Sequence, residues 1–161
     1  MKIEITPIGY AKTEFNELKD MPVQPIGGMD KTAEIVIDEK YKDGLKDLDG
    51  FNYIYLIYYF HQNKGYNLTP IPFNDKTLTP RGVFSTRTPV HPNHLGLSLV
   101  ELIEVKDNVV KFRGVDILNN TPIIDIKPYI KNFDKVCNPK SGWMKSKEDE
   151  VAQKRADDRF C

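Results

Sequence analysis

The sequence predicts a mainly β protein: a single antiparallel, barrel-like domain with short helices. Three observations predict it. β-Branched and aromatic residues gather in short runs, as at Thr32–Asp38, Asn52–Phe60 and Leu97–Val105. These runs follow one another through turns and loops, not through amphipathic crossover helices, which favours antiparallel pairing. No GxGxxG stands between a strand and a helix, so a Rossmann crevice is not expected.

Taken in order, Lys2–Ile8 alternates polar and apolar residues and is expected to be a strand. Thr13–Met29, with Pro22, Pro25 and the Gly27–Gly28 pair, is expected to be a loop. Thr32–Asp38 reads as a strand and Glu39–Leu45 as a short helix ending at Gly44. Asn52–Phe60 is apolar or aromatic at both parities, which predicts a central strand covered on both faces. Pro70 and Pro72 make Gly65–Thr79 a long loop, and Val83–Thr86 is expected to be a short strand. Leu97–Val105, Val109–Val115 and Pro122–Ile126 complete the set, with a turn at Asp107–Asn108. Lys145–Arg159 is highly charged at helical spacing and reads as a solvated helix or tail, with Trp143 and Phe160 placed to anchor its ends. The expected organisation is a barrel domain over 1–136 followed by a charged segment over 137–161.

A chain of 161 residues can bury one substantial core. Lys plus Arg number 23 and Asp plus Glu number 23, so the formal charge is zero. A general nucleic-acid coat carries a basic excess. Any contact with RNA must therefore use a local patch, a dimer groove or shape. The longest apolar run, Tyr53–Phe60, is too short to span a bilayer, and the N-terminus lacks the apolar core of a signal peptide. With only Cys137 and Cys161 and no CxxC, reduced thiols and a cytoplasmic location are expected. The histidines are His61, His91 and His94. The last two flank Pro92 and no acidic cluster accompanies them, so no metal site is expected.

The densest chemistry lies in Arg81–Leu102, RGVFSTRTPVHPNHLGLSLVEL. Pro89 and Pro92 fix their own φ angles and push Thr88 and His91 toward extended conformations. Gly96 permits close backbone approach just before GLSLVELIEV. The expectation is a rigid polar loop at a strand edge with Arg87 and Asn93 facing outward.

This segment resembles the signature of the TrmO family, RGVFATRSPxRPNPIGLSxVxL. Three further blocks are similar to the same family in the same order: ITPIGY with PVQ at 22–24, GLKDLDGFNYIYLIYYFHQ at 44–62, and VDILNNTPIIDIKPYI at 115–130. The resemblance implies a non-Rossmann β-barrel that dimerises and binds S-adenosylmethionine. It implies methylation of N6 of threonylcarbamoyladenosine at position 37, in the anticodon loop of tRNA. By the same resemblance, cofactor contacts come from Pro22, Val23 and Gln24, from His61 and Gln62, from Arg87 as a charged fork for the cofactor carboxylate, from Leu97 at the adenine slot, and from Ile117, Leu118, Asn119 and Asn120. His91 and Asn93 fall on the substrate side. His91 stands where the family has Arg, and Asn119–Asn120 where it has Asp-Gly, so a guanidinium and a carboxylate are missing here.

Methyl transfer to N6 displaces a proton, so an acceptor or orienting group should help. Alternation puts Asp125, Lys127 and Tyr129 on one face. Asp125 or Tyr129 is the expected proton acceptor, with Lys127 toward phosphate. The competing reading is an Asp125–Lys127 pair that only pins the strand. At the level of function the alternative is a non-enzymatic S-adenosylmethionine-binding module or sensor on the same barrel.

Overall fold

The computed structural model describes residues 1–19, 21–74 and 78–156. Six strands form: β1 (Gly9–Lys12), β2 (Thr32–Ile37), β3 (Tyr53–Tyr59), β4 (Leu95–Lys106), β5 (Val109–Arg113) and β6 (Pro122–Pro128). They close into a barrel in the order β1-β2-β5-β4-β3-β6, with every pairing antiparallel. Closure comes from β6, which pairs with β1 at Gly9↔Ile123 and with β3 at Ile57↔Asp125. A closed barrel leaves no open sheet edge.

Period-2 alternation fills the interior. Ile35 and Ile37 of β2, Ile54, Leu56 and Tyr58 of β3, Val100 and Leu102 of β4, Val110 and Phe112 of β5, and Ile123 of β6 are all buried. Gly96 of β4 sits opposite Tyr58. A Cβ there would enter the Tyr58 ring, so the glycine makes room for the aromatic side chain. The β4–β5 hairpin turns at Asp107, whose φ is 53°, as expected for Asp107–Asn108.

Four expectations need correction. Residues 1–6 are exposed and pair with nothing in the barrel, and the first strand is Gly9–Lys12 instead of Lys2–Ile8. Alternation without a facing strand does not make a strand, and Pro7 lacks the N–H a ladder needs. β3 is buried on one side only: Ile54, Leu56 and Tyr58 point inward, while Tyr53 and Tyr59 are exposed. Val83–Ser85 is a 3₁₀ turn, not a strand, because Ser85 and Thr86 hydroxyls donate to the carbonyls of Gly82 and Val83 at 2.7 Å each. In the C-terminal segment helix α2 spans only Glu148–Ala152, after a single turn α1 at Lys131–Asp134. Residues beyond α2 return to the barrel, where Arg155 bridges to Pro22 and the Ala156 N–H donates to the Met21 carbonyl at 2.7 Å. Trp143 is anchored through Ser85; Phe160 and the end of the expected helix lie outside the described residues.

Strand polarity decides where the loops go. The C-terminal ends of β1, β3 and β5 and the N-terminal ends of β2, β4 and β6 all lie at one end of the barrel. The connections 13–31, 60–94 and 114–121 therefore leave from that single mouth. The opposite end carries the β4–β5 hairpin and the turns between β2 and β3.

Candidate cofactor cleft at the barrel mouth

Nearly all residues that the sequence nominates for the cofactor sit on those three loops. Pro22, Val23 and Gln24 are on the first, His61, Gln62 and Arg87 on the second, and Ile117, Leu118, Asn119 and Asn120 on the third. Blocks 63 residues apart meet directly: the exposed Arg87 guanidinium donates to Gln24 Oε1 at 3.4 Å. Asn63 Nδ2 donates to the Pro89 carbonyl at 2.6 Å, which ties the two halves of the long second loop.

A narrow cleft opens between the second and third loops. His61, Gln62 and Asn63 line one side and Ile117, Leu118 and Thr121 the other, with Met21 and Leu18 from the first loop. Its floor is a buried polar chain absent from the sequence reading. Tyr58, Ser98 and Asp116 are each nearly inaccessible. Ser98 Oγ lies 2.9 Å from both Asp116 carboxylate oxygens and 3.1 Å from the Tyr58 hydroxyl. Ser98 donates to the carboxylate and Tyr58 donates to Ser98, because each hydroxyl has one proton to give.

Burial without a cation in contact disfavours the charged form of Asp116 and pushes its pKa to about 7. Hydrogen bonds from Ser98 and from its own backbone, and the Arg87 charge, pull in the other direction. Burial likewise drives Tyr58 well above the ordinary phenol range, and it lowers the His61 pKa, so His61 is a neutral imidazole at the cleft wall. Two signals could have revealed the chain beforehand. Asp116 stands inside VDIL, an acid among apolar residues, and Ser98 occupies an inward position between Gly96 and Val100.

Asn119 and Asn120 are held by the fold. Asn119 Nδ2 donates to Asn16 Oδ1 at 3.0 Å, and its Oδ1 accepts from the Thr13 N–H at 3.3 Å. Asn120 adopts a φ of 59° and accepts from Lys12 Nζ at 2.8 Å. Leu97 points away from the cleft, on the outward face of β4, and is 51% exposed. His91 Nε2 donates to the Thr86 carbonyl at 3.1 Å, and Asn93 is exposed in the turn just before β4.

Asp125, Lys127 and Tyr129 do share one face, but it is the outward face of β6. Asp125 and Lys127 pair at 2.8 Å, and that partnership raises the Lys127 pKa. Tyr129 packs against Tyr55 with ring centroids 6.1 Å apart. The set extends from mid-barrel toward the far end, where the Tyr129 N–H donates to Tyr53. Burial raises the pKa of Tyr55 outside the barrel and of Tyr58 and Asp116 inside, and the Arg87 charge slightly opposes that rise at all three. Among the described residues no three His, Cys, Asp or Glu side chains converge as metal ligands, and no helix is long and apolar enough to cross a membrane.

These features define a closed antiparallel barrel with a loop-built candidate site at one mouth, outside any Rossmann framework. The family model described as the tRNA-methyltransferase O N-terminal domain matches residues 10–135. The chain belongs to that family. It is 39% identical over 154 residues to a probable S-adenosyl-L-methionine-binding protein of Pyrococcus abyssi, covering 96% of this chain and 83% of the relative. It is 31% identical to the tRNA (adenine(37)-N6)-methyltransferase of Escherichia coli, covering 86% of this chain and 63% of the enzyme. The crystal structure of TrmO from Pseudomonas aeruginosa superposes with a TM-score of 0.75 at 28% identity, covering 91% of this chain and 64% of that one. The chain thus spans a little under two thirds of those two enzymes.

Proposed function

We propose that this chain is an S-adenosylmethionine-dependent tRNA methyltransferase acting on N6 of threonylcarbamoyladenosine at position 37, in the cytoplasm. The carrying observation is that three separate sequence blocks converge on one barrel mouth, with Gln24 against Arg87 and His61–Gln62 facing Ile117–Leu118 across the cleft. The donor set suits the cofactor. An exposed guanidinium matches its carboxylate, apolar Ile117 and Leu118 suit a purine, and the buried Asp116 is an acid in a site for a cation. When bound, the cofactor supplies an electrophilic methyl group on a sulfonium. The protein's part is to hold and orient both reactants and to exclude water. His61, neutral at the cleft wall, can hydrogen-bond without adding positive charge beside a cationic cofactor. Asp125 or Tyr129 is the proposed acceptor of the N6 proton, and His91 and Asn93, beside Arg87, are proposed substrate contacts.

We further propose a homodimer. The outward faces of β3 and β4 present Tyr53, Tyr55, Ile57 and Tyr59 opposite Glu101, Leu99, Leu97 and Leu95. Several of these side chains are exposed and together make an apolar surface continuous with the Asp125–Lys127–Tyr129 face. Contiguous apolar surfaces of this kind mark association sites. Leu97 enters the cofactor reading through the resemblance alone.

The test is transfer of labelled methyl from S-adenosylmethionine to tRNA that carries threonylcarbamoyladenosine, against unmodified transcript. Label in the modified tRNA only is expected. Label in neither, with cofactor binding retained, would overturn this acceptor and leave a cofactor-binding module without catalysis, or an enzyme with another acceptor. The archaeal relative named only as a binding protein favours the module without catalysis, as does Asn119, which has no carboxylate and is committed to Asn16 and Thr13.

A further inference from the structure

We propose that the turn carrying Phe84 and the segment around Trp143 together form a stacking platform for unpaired bases of an RNA loop, beside the cofactor mouth. The proposal rests on the reading that RNA is the substrate. Phe84 is 81% exposed, although an aromatic ring contributes most when buried. It is displayed, not floppy. Val83 beneath it is fully buried, the hydroxyls of Ser85 and Thr86 clamp the turn, and the His91 ring meets Phe84 edge-on at 6.0 Å.

Trp143 comes from a part of the chain that the family match does not reach. Its indole N–H donates to the Ser85 carbonyl at 2.8 Å, which fixes the ring next to the Phe84 turn. The Arg81 guanidinium lies 5.4 Å from the indole centroid. Two aromatic side chains, a histidine and an arginine are therefore held on one surface by two distant segments.

Charge says what this surface fits. Residues 78–100 contain two arginines and no acid, and residues 135–147 contain four lysines and no acid. In a chain whose formal charge is zero, the two segments that meet at Ser85 and Trp143 carry six cations and no carboxylate. This is the local basic patch that a neutral protein needs in order to hold a polyanion. Exposed rings set in positive charge are the usual arrangement for single-stranded nucleic acid, because every base offers a π face. A second copy of this chain is the poorer occupant. A symmetric contact would set like charges against each other, whereas the apolar β3–β4 face carries none of this charge.

The test uses the full chain and a short anticodon stem–loop RNA. Phe84→Ala and Trp143→Ala should each weaken RNA binding by roughly 5–150-fold, the range for losing one base–aromatic stack. Both should leave S-adenosylmethionine affinity by calorimetry unchanged. Lys140→Ala with Lys145→Ala should instead lower the salt dependence of RNA binding by about one to two in log–log slope. Unchanged RNA affinity in both aromatic variants, with the parent binding RNA, would overturn the platform and leave the enzyme reading standing. A shift of Phe84→Ala toward monomer in sedimentation, with RNA binding intact, would also overturn it and assign the patch to a second copy. A parent that binds the cofactor but no RNA would remove the substrate reading and the platform with it.

Discussion

Single side chains carry the sharpest predictions. Arg87 touches Gln24, and under the proposed function it is the charged fork for the cofactor carboxylate. Arg87→Ala is expected to weaken S-adenosylmethionine binding by about 1.5–3 kcal/mol, the range for a charged hydrogen bond. Calorimetry showing unchanged affinity in a folded variant would take Arg87 out of the site. Asp116 gives a pH signature. Its folded pKa of about 7 stands above the ordinary 3.8. Between those values the folded state keeps a proton that the unfolded chain has lost. The stability this contributes is full below pH 3.8 and fades as pH rises to about 7. Asp116→Asn removes the titration, so the melting temperature of the parent relative to the variant should fall from pH 4 to 7 and then level off. Parallel melting profiles would mean that Asp116 keeps its ordinary pKa in the folded barrel. His61 titrates in both proteins and cancels in the comparison. Gln24, His61 and Arg87 were named beforehand through the family resemblance, as expected cofactor contacts. Asp116, Ser98 and Tyr58 were not, because their hydrogen bonds join residues 40 and 18 apart in sequence, and the local signals at Ser98 and Asp116 do not say that the two residues meet.

Among the elements, β4 is the clearest case of residue choice set by register. Inward Gly96 admits the Tyr58 ring, outward Leu97 joins the apolar face, and inward Ser98 completes the bond to Asp116. Gly96→Ala should therefore displace Tyr58 and cost about 1–3 kcal/mol, as overpacking in a filled core does. Chemical denaturation reads that loss, and a neutral result would mean that the ring shifts freely. The strands best read from sequence were those with a partner on each side. Thr32–Asp38 and Leu97–Val105 matched their observed ranges within about two residues at each end, the usual scatter of strand limits. Lys2–Ile8 and Val83–Thr86 were misread for the same reason. Both look strand-like locally, yet no facing backbone pairs with residues 1–6 and the hydroxyls of Ser85 and Thr86 close a tight turn. Local propensity yields wherever tertiary pairing or side-chain capping offers the backbone better partners.

The molecule as a whole poses the question of its outer wall. A barrel of six strands fills its own interior, so the outward side chains of Ile57, Leu97 and Leu99 add nothing to the core of one copy. Leu97→Glu should convert a dimer to a monomer in sedimentation, because a charge centred on an apolar contact must be desolvated. A parent that already sediments as a monomer would remove the dimer instead. Composition and strand periodicity by themselves pointed to a non-Rossmann antiparallel sheet or barrel, and the resemblance of four motif blocks to the TrmO family supplied the family and the expected loop residues. Those properties are written in short stretches of chain, where spacing and residue type suffice. Only the closed tertiary structure decided that the three loops share one mouth, that Asp116 lies buried under Ser98 and Tyr58, that Asp125 and Lys127 face outward, and that Trp143 docks beside Phe84. Each depends on strand polarity, register and long-range burial, which arise when distant segments close on one core.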